Sequence, residues 1–245
     1  MTLVPRSAGG GAGLLRVVSL VPSVTETLLA WGVRPVACTR FCEQPSLRTV
    51  GGTKDPDIDA IAALSPDLVV VDEEENRREH FEEMGRRGLD VHVTAVRSLD
   101  DVRPTLKALA ERVGLDVDGV TIPRTEFRSR PADGLRVFVP IWKRPWMTLN
   151  DSTYGSSLLS VLGAVNVFAD EPKRYPVVSS LEDAAARRPH AVLAPSEPFP
   201  FGPRHVKELS VVAPVVLVDG QDLFWWGVRT PAALRRLGES ISRHR

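Results

Sequence analysis

Short, nearly continuous apolar runs with β-branched content recur along the chain. They fall at Arg16–Val21, Val36–Thr39, Leu68–Val71, Val91–Ala95, Leu135–Ile141, Val165–Phe168, Ala191–Ala194 and Val215–Val218. Polar and apolar positions do not alternate within them, which is how strands buried on both faces of a parallel sheet read. Between most of them lie stretches with helical spacing. Thr25–Trp31 ends at Gly32, a good helix stop. Asp57–Leu64 lies between Pro56 and Pro66. Asn76–Arg87 sets Phe81 and Met84 on one face and stops at Gly88; Leu99–Val113 stops at Gly114. Strands alternating with helices predict parallel sheets covered by helices, an α/β fold.

The two halves repeat one another. IDAIAALSPDLVVVDEE in the first matches EDAAARRPHAVLAPSEP in the second, pairing Pro66 with Pro189 and Glu74 with Glu197, each 123 residues on. Each half opens with an Arg-led strand running into a Pro-containing loop, RVVSLVPS and RVFVPIWKRP. His190 stands where Asp67 stands in the first half. This predicts two similar Rossmann-like lobes, residues 14–114 and 135–245, facing each other across a cleft. Residues 1–13 read as a tail. Residues 115–134 read as a linker, because Gly119, Pro123, Pro131 and Gly134 interrupt any long helix.

Charge narrows the function classes. Lys+Arg and Asp+Glu both number 31, and a net charge of zero argues against broad nucleic-acid or anionic-membrane binding. No run of about 18 apolar residues occurs, so no membrane insertion is expected. Gly9–Gly11 interrupt any secretory signal, so the expected location is cytoplasmic, with Cys38 and Cys42 as reduced thiols. Their spacing is not a zinc pattern, and no metal site is expected.

Ligands of open α/β sheets bind beyond the carboxyl ends of the strands, so the candidate chemistry lies in the loops after each run. Ser23 and Glu26 have the spacing of a helix-capping box; the same helix start could also face an anionic ligand group. Phe41 comes after the second run. Gly52, Thr53 and Lys54 belong to a segment whose Gly pair suggests positive φ or close backbone approach. Glu74 and Arg77 open a charged helix. In the second half, four of the five Trp fall in two such loops: Trp142 and Trp146, flanking Arg144, then Trp225 and Trp226, with Arg229 just beyond. Glu197, Phe199 and Phe201 occupy a third, and His205 comes after them. Aromatic faces interleaved with Arg suit a large, flat or partly anionic ligand; the bland alternative is an apolar core in which the Trp happen to cluster. No GxSxG, HExxH, GxGxxG or DxD occurs, so no catalytic residue is named.

The order of these segments resembles the substrate-binding proteins of cobalamin and ferric-siderophore importers, the helical-backbone metal receptor superfamily. The matching segments are RVVSLVPSVTETLLAWGV, IDAIAALSPDLVVV, GLDVHV, SLDDVRPTLKALAERVG and RPHAVLAP. TRFCEQP, VGGTKDPD, EENRRE, PIWKRPWMT, RYPVVS, PSEPFPF and WWGVRT resemble a subgroup without signal peptides, often labelled cobalamin-binding. The resemblance implies a class III periplasmic-binding-protein fold with a shortened connector, and adds Tyr154 and Tyr175 to the candidate site. It implies cobalamin or an iron chelate as ligand and no other cofactor. Three departures speak against the transport reading, the first being the missing secretion signal. The long helix joining the lobes cannot fit between Pro123 and Pro131, which leave seven residues between them. Arg78 and Gly227 stand where the importer's receptor carries docking Glu residues, although Glu79 takes the first place after a one-residue slip. The leading expectation is a soluble protein that binds a corrinoid or an iron-chelate or tetrapyrrole ligand between its lobes. The alternatives are an enzyme on the same fold, using Glu74, Glu197 and Arg229, and an importer receptor whose true start lies upstream. A homodimer is left open.

Overall fold

The computed structural model describes residues 15–120 and 130–243. The described residues divide into two compact units. The first comprises 15–96, 101–120 and Trp226–Val228; the second comprises Arg97–Asp100, 130–225 and 229–243.

In the first unit the apolar runs become β1 (Val17–Ser19), β2 (Ala37–Cys38), β4 (Leu68–Asp72) and β5 (Val91–Thr94), joined by a short β3 (Arg48–Thr49). Their order in the sheet is β3-β2-β1-β4-β5, every pairing parallel. β1 and β4 are buried at every position, as continuous apolar runs require. Helices α1 (Pro22–Ala30), α2 (Ile58–Ala63), α3 (Arg78–Arg86) and α4 (Leu99–Arg112) alternate with the strands as expected. Ile61 of α2 and Met84 of α3 are fully buried and complete the core with Val18, Leu20, Val69 and Val71.

The second unit repeats this plan. β6 (Arg136–Phe138), β8 (Val165–Asn166), β10 (Ala191–Pro195) and β11 (Val215–Val218) form a parallel sheet in the order β11-β10-β6-β8. That is the order β5-β4-β1-β2 of the first unit, strand for strand. Its helices are α5 (Tyr154–Val161), α6 (Leu181–Ala186), α7 (Pro203–Leu209), α8 (Gly220–Phe224) and α9 (Thr230–Ser242). An additional antiparallel ribbon pairs β7 (Trp146–Met147) with β9 (Val177–Val178). The repeat extends to the caps. Asp57 accepts from Ala60 N at 2.9 Å at the start of α2, and Ser180, 123 residues on, accepts from Asp183 N at 3.1 Å at the start of α6.

One local expectation is corrected. Ser23 does not cap α1. The helix begins at Pro22 with Val21 at the N-cap and no side-chain cap, and Ser23 is buried inside its first turn. Proline supplies the first helical φ and needs no N–H partner, so the start moves back past the serine. Residues 113–120 and 130–135 are turn and coil. The rest of the 115–134 connector and the 1–13 tail lie outside the described residues.

Candidate ligand-binding loops

In the first unit the loops beyond the strand ends are tied together by Asn76. Its Oδ1 accepts the Asp72 N–H at 2.8 Å, and its Nδ2 donates to Thr53 O at 2.9 Å and Leu20 O at 3.3 Å. One buried amide thus fastens the loops after β1, β3 and β4. Asp72 continues the bracing: Oδ1 accepts from Glu74 N at 2.9 Å and Oδ2 from Thr94 Oγ1 at 2.8 Å. Burial pushes the Asp72 carboxyl above its usual range, and these bonds pull the other way. The sequence pattern points to Glu74 and Arg77 in this loop but not to Asn76, because an Asn within a charged run carries no pattern of its own.

Both expectations for the Gly pair hold, one at each glycine. Gly51 has φ +85, and Gly52 is closely approached: a Cβ there would collide with Asp55 Oδ1 and stand 2.7 Å from Arg40 Nη2. The approaching group is the protein's own Arg40–Asp55 ion pair at 2.9 Å. Arg40 also covers the Phe41 ring, 4.8 Å from its centroid, and Phe41 is half exposed. Lys54 Nζ donates to the Glu74 carbonyl. Thr53 is buried, and the exposed Arg77 faces Glu79 at 3.8 Å.

The second unit gathers most of the predicted aromatics. Residues 141–147 form a tight hairpin, with Ile141 N bonding Met147 O at 2.9 Å and Met147 N bonding Trp142 O at 3.1 Å. Pairing of β7 with β9 anchors this hairpin to the segment after Tyr175, which is itself 37% exposed. Arg144 sits exposed at the hairpin tip with φ +67. Trp142 and Trp146 leave the hairpin and meet Phe199 and Phe201 from the loop after β10. Trp142 stands edge-on to Phe199 at 5.7 Å, Phe199 lies 4.7 Å from Phe201, and Phe201 stacks on Trp146 at 6.1 Å and 8°. Such offset and edge geometries are the favoured ones for aromatic pairs. Trp142, at 43% exposed, is the open end of this row, and Phe201, at 5%, is its most buried member.

His205 lies edge-on to both Phe rings and is buried, with Nδ1 accepting the Gly202 N–H at 3.1 Å. It therefore supports the row from beneath. Lys143 Nζ lies 5.6 Å over Trp146 and pairs with Glu208 at 2.5 Å, a buttress between positions 65 residues apart that no local pattern signals.

Trp225 and Arg229 form a second group. The guanidinium lies 4.8 Å over the Trp225 ring, donates to Gln221 Oε1 at 3.1 Å and faces Asp222 at 3.6 Å. Asp222 is buried and held by Arg236 at 2.6 and 2.5 Å. Arg229 is thus fixed in place beside a carboxylate that it shares with Arg236. Glu197 packs against Gly220, where a Cβ would collide with Glu197 Cγ. That contact sets the loop after β10 against the one after β11, with Gly220 N bonding Ser196 Oγ at 2.9 Å. Tyr154 is buried, its hydroxyl 3.0 Å from Thr230 Oγ1. Trp226 is buried as part of the first unit. Among the described residues no group of three or more His, Cys, Asp or Glu could hold a metal ion, and no helix is long and apolar enough to cross a membrane.

Known proteins share this architecture. The family described as "Periplasmic binding protein" matches residues 17–119. A vitamin B12-binding protein of Pectobacterium carotovorum subsp. carotovorum (strain PC1) is 28% identical over 199 residues, 75% of this chain and 72% of its own. Among solved structures, the periplasmic vitamin B12 binding protein of Vibrio cholerae superposes with a TM-score of 0.74 at 21% identity. It covers 94% of this chain and 97% of its own. The periplasmic heme-binding protein of Roseiflexus sp. RS-1 superposes at 0.77 and 20% identity, covering 95% and 99%. The resemblance to the cobalamin and ferric-siderophore binding-protein superfamily is borne out, and the fold is that of the class III periplasmic binding proteins.

Proposed function

We propose that this chain, sharing the fold and sequence resemblance of that superfamily, is a small-molecule binding protein whose ligand is a corrinoid or a tetrapyrrole-like iron chelate. The observation that carries this reading is the aromatic row Trp142–Phe199–Phe201–Trp146, presented by two loops beyond the strand ends of the second unit. A row of rings braced from below and open at Trp142 suits stacking against a large conjugated or apolar ring system. Arg144, exposed at the hairpin tip between Trp142 and Trp146, adds a cation suited to a peripheral acidic group. The names of relatives that bind vitamin B12 and heme agree with a ligand of this size and character.

In this proposal the protein binds its ligand without coupling to a transporter. The support is Gly227, which the resemblance sets at one of the two places where the importer's receptor carries a docking Glu. Gly227 has φ +122, and a Cβ there would collide with Thr27 Oγ1. A Glu at position 227 itself would have to displace Thr27.

The experiment is absorbance spectroscopy and native mass spectrometry of the protein as purified. A corrinoid or haem-type spectrum with the matching mass increment supports the reading. A bound molecule without a conjugated ring system overturns the ligand assignment.

A further inference from the structure

The turn after β2 carries two thiols that ligand binding does not use. Cys38 ends β2, and Cys42 closes the turn, its N–H donating to Thr39 O at 3.1 Å. Both are free and both are buried, 1% and 3% exposed, packed against each other and Leu47. The two side chains belong to one packed cluster, so the thiols are neighbours in the turn. Cys42 Sγ also has Thr25 Oγ1 and Thr39 Oγ1 at 3.2 Å each.

A cysteine that merely fills an apolar gap needs no such company. A sulfur with two threonine hydroxyls at hydrogen-bond distance and a second thiol packed beside it sits where a thiolate can be hydrogen-bonded. The neighbouring Cys38 thiol, with Thr25 and Thr39, pulls the Cys42 thiol below its usual range against the cost of burial. Cys38 is pushed the opposite way, by the same neighbour and by burial. A depression of about 300 Å³, lined by Thr39, Arg40, Glu43, Gln44, Pro45 and Thr49, opens along the same turn. Thr39 belongs to its wall and also touches Cys42 Sγ, so a small solute comes within one side chain of the thiol.

We propose that Cys38 and Cys42 form a reversible dithiol–disulfide site, with Cys42 as the attacking sulfur, Cys38 as the resolving one, and hydrogen peroxide as oxidant. The Cys42 thiolate attacks one peroxide oxygen; the O–O bond breaks, hydroxide leaves and takes up a proton as water, and Cys42 becomes a sulfenic acid. The Cys38 sulfur then attacks Cys42 Sγ. The S–O bond breaks, a second water leaves with the Cys38 proton, and the S–S bond forms. Overall, two thiols and one peroxide become one disulfide and two waters. Arg40 and Phe41 lie between the two cysteines, and Arg40 is held by Asp55. Closing the ring therefore fixes the turn that presents Phe41.

The test is peptide mapping by mass spectrometry of the full chain, reduced, desalted and exposed to stoichiometric hydrogen peroxide. Expected is paired loss of both thiols to one intrachain Cys38–Cys42 disulfide that dithiothreitol reverses. Cys38→Ser should stop at a sulfenic acid on Cys42 that dimedone traps. Cys42→Ser should leave Cys38 reacting at least about tenfold more slowly, the factor that one pKa unit makes in thiolate population. Should both wild-type thiols survive peroxide that oxidises free cysteine, or should disulfides form only between chains, the site does not exist. Equal reactivity of Cys38 with and without Cys42 would also overturn it. The wild-type map decides even if a variant fails to fold.

Discussion

Arg136 donates its backbone N–H to His190 Nδ1 at 3.2 Å, where the first unit has Arg16 N–H donating to Asp67 Oδ2 at 2.7 Å. The rest of the arrangement repeats as well. The Arg16 guanidinium reaches Leu64 O at 2.7 Å and Ser65 O at 3.3 Å, and that of Arg136 reaches Arg187 O at 2.7 Å and Arg188 O at 3.1 Å. Ser65 and Arg188 both take positive φ, +43 and +54, at the ends of the preceding helices. The Arg that leads each half therefore has a physical task. It satisfies the two carbonyls that follow α2 or α6, at the C-cap and one residue on, and pins that helix end to the first strand of its sheet.

From this clamp, His190→Ala should destabilise the second unit by about 1 kcal/mol, the net worth of a typical hydrogen bond. His190→Asp should recover most of that loss, since the first unit uses Asp at the same place. Urea unfolding of the three proteins measures it; an Asp variant no better than Ala would remove the equivalence.

Asn76→Ala should cost more, about 2–3 kcal/mol. It leaves Asp72 N–H, Thr53 O and Leu20 O buried without their amide partner. Hydrogen exchange should show the loops after β1, β3 and β4 loosening together. Loosening confined to residues 73–77 would mean the bracket is not shared.

Gly227→Ala should destabilise by roughly 1–3 kcal/mol, because φ +122 is closed to a residue with a Cβ. Thr27→Ala in the same chain removes the collision with Thr27 Oγ1 but not the backbone strain. Thermal unfolding of the double variant should therefore recover only part of the loss. Full recovery would assign the whole effect to the clash.

Within the aromatic row, position separates binding from folding. Phe201, 5% exposed, should cost about 3–5 kcal/mol on truncation to Ala. Trp142, 43% exposed, should cost little stability on the same change. Equal stability losses at both positions would make the row a piece of core, the alternative that aromatic clustering in a sequence always leaves open.

The eight apolar runs were legible as strands: β1, β4 and β10 are buried at every position, and β5, β8 and β11 keep the same short β-branched runs although Val93, Val165 and Leu217 are exposed. β3, β7 and β9 were not: they are no shorter than β2 and β8, but their pairing is set by the loops around them. The aromatic loops stood out by composition, yet composition does not distinguish Trp142 from Phe201, or Trp225 beside Arg229 from the buried Trp226. Arg229 drew attention as a cation for ligand acids. Its engagement by Asp222 depends on α8 and α9 packing together, which a linear sequence does not display.

The central claim is tested most directly by titrating ligand-free protein with cyanocobalamin and, separately, with haemin while following tryptophan fluorescence. Saturable quenching by at least one of them is predicted. Its apparent Kd should weaken at least about tenfold in Trp142→Ala, as expected for an aromatic anchor, while the melting temperature stays nearly unchanged. Binding of neither compound, or binding of wild-type strength in both Trp142→Ala and Phe199→Ala, would contradict it.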